Sequence, residues 1–166
     1  MQPPSTVAVY SQSWPADFQA IARFLRPVLP VGVRIEHVGS TSVPGLAAKP
    51  IIDLDLVVAS EAQVWETVTA VAKLGYEHRG DGGIPGRQAF NTLDGLPYHH
   101  LYVVVDGSQA HRDHIDLRDY LRTQAEEAHR YAAEKRRLEH LLATDRDAYV
   151  IGKGPFISEL LSRARG

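Results

Sequence analysis

The chain has 166 residues, 18 Lys and Arg against 20 Asp and Glu, and no cysteine. That length makes one domain with a real core the expectation, a net charge of −2 offers no basic field to recruit nucleic acid, and the missing thiols exclude disulfides and thiolate zinc sites. No run reaches the ~20 apolar residues of a membrane span and the first residues lack a secretion-signal pattern, so a cytoplasmic protein with no membrane partner is expected.

In chain order, Met1 to Thr6 carries no periodic pattern, and Val7 to Tyr10 reads as a short edge strand. Pro15 suits the first turn of a helix, where its missing N–H is no loss. Phe18, Ile21, Ala22 and Leu25 follow at helical spacing until Pro27 and Pro30 end the pattern. Arg34 to Val38 alternates as a strand does, a turn rich in Gly, Ser and Pro starts at Gly39-Ser40, and Ile51 to Val58 is apolar enough for a buried strand. Ser60 is placed to cap a helix over Glu61–Leu74, with Gly75 where helices commonly stop. Tyr76 to Arg79 predicts a strand, Gly80-Asp81-Gly82-Gly83 a flexible turn, and Gly86 to Leu93 another strand. Asp94-Gly95 then signals a hairpin into His99–Val105. From His111 onward helices are expected near Ile115–Arg122, Gln124–Leu142 and Asp145–Ser162. The expected fold is one α+β domain: a mixed β-sheet with flanking helices over about residues 6–106, and a helical half over about 107–166.

Asp53 and Asp55 stand out by parity. Residues alternate faces along a strand, so these two point one way while Ile52, Leu54, Leu56 and Val58 point into the core. Two carboxylates roughly 6.6 Å apart on an otherwise apolar face repel unless a cation joins them. Mg²⁺ suits that place, since it takes one or two carboxylates and completes its octahedron with water and substrate phosphates. The turn beside them, Gly39, Ser40, Thr41 and Ser42, offers N–H and hydroxyl donors for phosphate, and the hydroxyls of Ser40 and Ser42 equally suit hydrogen bonds within the turn. Both carboxylates are expected to face an open cleft. Lys49 lies between the donor turn and the acids, placed for phosphate or acid contact.

Eight histidines invite a metal reading. His99 and His100 face opposite ways on a strand, and His111 and His114, though on one helix face, have no evident third ligand. Zinc is not expected.

Val38-Gly39-Ser40 followed by Asp53-Leu54-Asp55-Leu56 resembles the signature of the polymerase-β-like nucleotidyltransferase superfamily. More narrowly, Gly39-Ser40-Thr41-Ser42-Val43-Pro44-Gly45-Leu46-Ala47-Ala48-Lys49-Pro50-Ile51-Ile52-Asp53 resembles the GrpB family, UPF0157-type proteins without an assigned reaction. Trp14-Pro15, Arg87, His100, Arg118-Asp119-Tyr120-Leu121-Arg122, Lys135 and Lys153 agree with it, so the resemblance covers nearly the whole chain.

The resemblance implies a nucleotidyltransferase-like fold and a site in which Asp53 and Asp55 hold one or two Mg²⁺ while Gly39 and Ser40 cradle phosphates. Arg87 clamps phosphate, Arg118 and Asp119 bridge the two halves or contact the ligand, and Lys135 and Lys153 contact its anions. A third carboxylate on a later strand is usual in the superfamily, yet His100-Leu101-Tyr102 contains none. Asp94, Asp106 or Glu36 would have to substitute, or His100 would act as base. The implied partners are an NTP and an acceptor hydroxyl of unknown identity, with NMP transferred between them. The alternative is a catalytically degenerate nucleotide- or coenzyme A-related binding module, since some family members are fused to dephospho-coenzyme A kinase. A third possibility is an antitoxin-like or scaffolding protein that uses the helical half.

Overall fold

The computed structural model describes residues 1–166. Helix α1 (Trp14–Leu25) opens the fold with Pro15 in its first turn and buries Trp14, Ile21, Ala22 and Leu25. A mixed sheet of four strands follows in the spatial order β1 (Arg34–Val38), β2 (Ile52–Val58), β4 (His99–Val105) and β3 (Arg87–Phe90). β1 and β3 run antiparallel to their neighbours, while β2 and β4 pair in parallel across the crossover helix α2 (Glu61–Ala72). The sequence pattern sets the faces. Ile52, Leu54, Leu56 and Val58 pack with α1 and α2 in the larger core. Each such side chain fully buried there stabilises the fold by about 1.5–3 kcal/mol.

The opposite face, with Asp53, Asp55 and Val57, is covered by the helical half: α3 (Gln109–Thr123), α4 (Ala125–Leu138) and α5 (Arg146–Arg165). A separate apolar cluster of Val43, Leu46, Ala47, Leu121, Tyr131, Ala132 and Leu160 joins those helices to the turn after β1. No helix is long and apolar enough to cross a membrane.

Several expected elements differ. Val7–Tyr10 forms no strand but one antiparallel bridge, with Ala8 and Ala48 exchanging two 2.9 Å hydrogen bonds. Its partner segment lies between Pro44 and Pro50, and prolines lack the N–H needed to extend a ladder. Tyr76–Arg79 likewise makes a single bridge, His78 to Phe90. Ser60 sits in extended geometry and its side chain does not cap α2; the Gln63 carboxamide instead accepts from the Ala59 N–H, just ahead of the helix, at 2.9 Å. α3 starts at Gln109, before Ile115, because Ser108 caps it and accepts from the His111 N–H. α4 tightens into a 3₁₀ turn at Glu139–Ala143, and α5 runs through Pro155 to Arg165.

Candidate active site

The turn after β1 is built around the absence of one atom. Gly39 has φ +70°, and a Cβ there would lie 2.2 Å from Asp53 Oδ2. Only glycine lets the carboxylate rest on the backbone at that point. The parallel register places His100 beside Asp53, and its Nδ1–H donates to Asp53 Oδ1 at 3.1 Å. The Asp53 side chain is 26% exposed and lines the cleft. Burial pushes its carboxyl up, but the His100 hydrogen bond and the charges of His100, His114 and Lys49 outweigh that and hold it below the usual range.

Asp55 does not face an open cleft, contrary to expectation. It is fully buried, and His114 of α3 donates to both its oxygens at 2.8 and 3.0 Å. Burial lowers the His114 pKa, yet this hydrogen bond and the Asp55 charge raise it above its ordinary value overall. The face on which two acids were expected to repel each other therefore carries two separate Asp–His pairs. His111 takes no part. It turns toward Asp106 and Glu36 at 3.4 and 3.6 Å, so the two α3 histidines do not converge on a metal.

Across the cleft stand Lys49, Lys135 of α4 and Lys153 of α5. Lys49 and Lys153 lie over the Tyr149 ring, 5.1 and 4.6 Å from its centroid, and Lys135 lies 4.6 Å from the Tyr131 centroid. Lys135 is 2% exposed, and both its ammonium and the buried Tyr149 hydroxyl have no hydrogen-bond partner. Burial and the neighbouring lysines push Lys135 far below its ordinary pKa. Burial, then Lys49, brings Lys153 to about 8, and burial lowers Lys49. Arg87 completes the ring of cations. Its guanidinium lies 4.3 Å over the Tyr102 ring and donates to the Asp81 and Gly82 carbonyls, with no carboxylate opposite it. The cleft they enclose measures about 730 Å³.

The remaining candidates are placed differently. Ser40 lines the cleft. Thr41 also borders the cleft, but its hydroxyl donates to the Ile51 carbonyl at 3.1 Å and the Ser42 hydroxyl donates to the Gly39 carbonyl, so both hydroxyl protons hold the turn. Arg118 donates to Glu36 and to the His37 carbonyl, and pairs with Asp119 at 2.7 Å, tying α3 to β1. No substitute third carboxylate arrives. Glu36 is held by Arg118, Asp106 by Arg34, and Asp94 lies 84% exposed against the chain's amino terminus. Sequence reasoning missed His114 as the partner of Asp55, because the two lie 59 residues apart on elements of different halves.

For Mg²⁺ the donor set is one-sided. Asp53 offers a carboxylate at the cleft, which suits an ion arriving on phosphates; Asp55, with both oxygens bound by His114, offers none in this arrangement. No group of three metal-ligating side chains gathers here, so Asp53 alone is open to such an ion and a two-ion site is not supported.

An acid-bearing strand at the centre of a mixed sheet, a Gly-Ser turn over it and a helical half above define a nucleotidyltransferase-like fold. The poly(U) polymerase Cid1 with MgGTP bound superimposes on it with a TM-score of 0.54 at 16% identity, covering 84% of this chain and 46% of that one. The family model described as GrpB protein matches residues 4–163, and the chain belongs to that family. The Enterococcus faecalis GrpB crystal structure matches with a TM-score of 0.84 and 32% identity over 96% of both chains. Among sequence relatives, UPF0157 protein PA4798 of Pseudomonas aeruginosa is 37% identical over 92% of this chain. UPF0157 protein YqkA of Bacillus subtilis is 32% identical over 96%. The chain spans 64% and 47% of those two relatives' lengths.

Proposed function

We propose that the larger cleft binds the polyphosphate of a nucleoside triphosphate and that the chain transfers its nucleotidyl group to an acceptor hydroxyl. The single observation that carries this is Lys135. A buried ammonium without a hydrogen bond is costly to a fold, and packing alone has no use for two further lysines beside it. A polyanion supplies the missing acceptors and restores the proton that burial disfavours.

In this reading Lys49, Lys135, Lys153 and Arg87 hold the β and γ phosphates, with Ser40 at the turn, and the α-phosphorus lies by Asp53. The His100 Nδ1–H is committed to Asp53, which leaves Nε2 to take the acceptor proton. The acceptor oxygen forms the new bond to phosphorus and pyrophosphate leaves. Mg²⁺, when bound, would be held by Asp53 with the phosphates and would supply neutralisation of their charge.

Calorimetric titration with MgATP tests this on the wild type and Lys135→Met. The variant should bind at least tenfold more weakly, as loss of a charged hydrogen bond of about 1.5–3 kcal/mol implies, while melting higher when empty. Equal affinity with a lower melting point would make Lys135 a packing residue and end the proposal.

A further inference from the structure

A second cavity of about 250 Å³ lies between the sheet and the helical half. It meets the phosphate cleft at Ser40, Asp53, Arg87, Tyr102 and Lys153, which line both. The two spaces therefore share a wall at the carboxylate where transfer is proposed. Away from that wall the smaller cavity is bounded by Val43, Leu117, Leu121, Tyr131 and Ile157. Its other polar side chains are already engaged: Arg118 with Glu36 and Asp119, and His114 with Asp55.

We infer that this smaller cavity is the acceptor subsite, and that it takes a small uncharged molecule with one hydroxyl on an apolar body. The inference rests on the nucleotidyl-transfer reading for the donor side only. Size argues first: with liquid water at ~30 Å³ per molecule, the cavity equals about eight waters, enough for a single-ring molecule and too little for a nucleotide chain. Chemistry argues second. Away from the shared wall, a nucleobase or a charged group entering here would meet leucine, valine and isoleucine with the Tyr131 hydroxyl as the one polar group to bond, whereas an apolar body loses nothing there. Geometry argues third, because the polar edge within reach of such a molecule is the shared wall, with the Tyr131 hydroxyl beside its Ser40, so its hydroxyl turns toward Asp53. RNA, the substrate class in poly(U) polymerases, lacks both the space and the partners it needs in this cavity.

The probe is benzyl alcohol, titrated into the full chain and followed by methyl and lysine NMR, with MgATP and an oligouridine titrated separately. Benzyl alcohol should shift the Val43, Leu117, Leu121 and Ile157 methyls saturably, and MgATP the Lys49, Lys135 and Lys153 signals. Ile157→Trp should weaken benzyl alcohol at least tenfold while leaving MgATP within twofold. Val43→Phe, a smaller plug from the opposite wall, does the same if the first variant fails to fold. Benzyl alcohol binding without MgATP binding would support the cavity and defeat the donor reading instead. Silent methyls in the wild type, undiminished binding in both plugged variants, or methyl shifts produced by oligouridine would each overturn the inference.

Discussion

At the scale of single residues, the two aspartates on β2 have different tasks. Asp53 rests against Gly39, engages His100 and stays in contact with the cleft, whereas Asp55 is sealed beneath His114. Mutual repulsion would make neutralising either one relieve strain, but at Asp55 the pairing reverses that sign. Asp55→Ala leaves the half-buried His114 without its acceptor, and breaking a pair whose carboxylate is fully buried costs up to about 3–5 kcal/mol. Urea denaturation should show that loss. A change below 1 kcal/mol would mean that the pair contributes nothing net. None of this was legible in the sequence around Asp55, because its partner lies 59 residues away on a helix of the other half. The alternation that assigned Asp53, Asp55 and the core-facing Leu54 to their faces was legible, since it depends only on local strand geometry.

At the scale of elements, β1 follows from a period-two pattern, β2 from an apolar run, β4 from the hairpin signal before it, α1 from spaced apolar residues and α2 from Ser60 and Gly75 at its ends. α3 begins earlier than its apolar pattern because a serine cap, not hydrophobic spacing, fixes its start. α5 is legible over nearly its full length, from Asp145, although Gly152, Gly154 and Pro155 lie inside it. Proline in a helix interior is about 3 kcal/mol worse than alanine, while its stiffening of the unfolded chain returns about 0.4–1 kcal/mol. Pro155 is exposed, so Pro155→Ala should raise stability by about 2–2.6 kcal/mol. A thermal melt checks it. A lower melting point would mean that the interruption sets the position of Tyr149 and Lys153 on the same helix.

At the scale of the whole molecule, the sheet half supplies Asp53, Lys49 and Arg87 while the helical half supplies Lys135, Tyr149 and Lys153, so the cleft exists only when the halves are docked. Arg118 on Glu36 and Arg122 on the Ser42 carbonyl pin them together at the turn itself. Charge links this assembly to pH. Lys153, facing Lys49, Lys135, Tyr149 and Asp53, holds its proton only to about pH 8 when folded, against an ordinary 10.5. Between those values the unfolded chain binds more protons, so stability should rise with pH from about 8 until the tyrosines, ordinarily at 10.0, begin to ionise in the unfolded chain. MgATP affinity should fall over the same interval. Denaturation and titration at stepped pH, compared with Lys153→Met, test both trends. Trends of equal slope in that variant would assign them to other groups.

The partnerless lysines also bear on how the protein behaves in a tube. Any small oxyanion that enters the cleft relieves the crowding of positive charge around Tyr149, so inorganic phosphate or sulfate should compete there with the nucleotide proposed above. A ligand at a hundredfold excess over its dissociation constant stabilises by about 2.7 kcal/mol, and an anionic buffer present throughout purification would exert that effect silently. Ligand screens in phosphate would then begin from a filled site, whereas the same screens in a chloride-only zwitterionic buffer begin from an empty one.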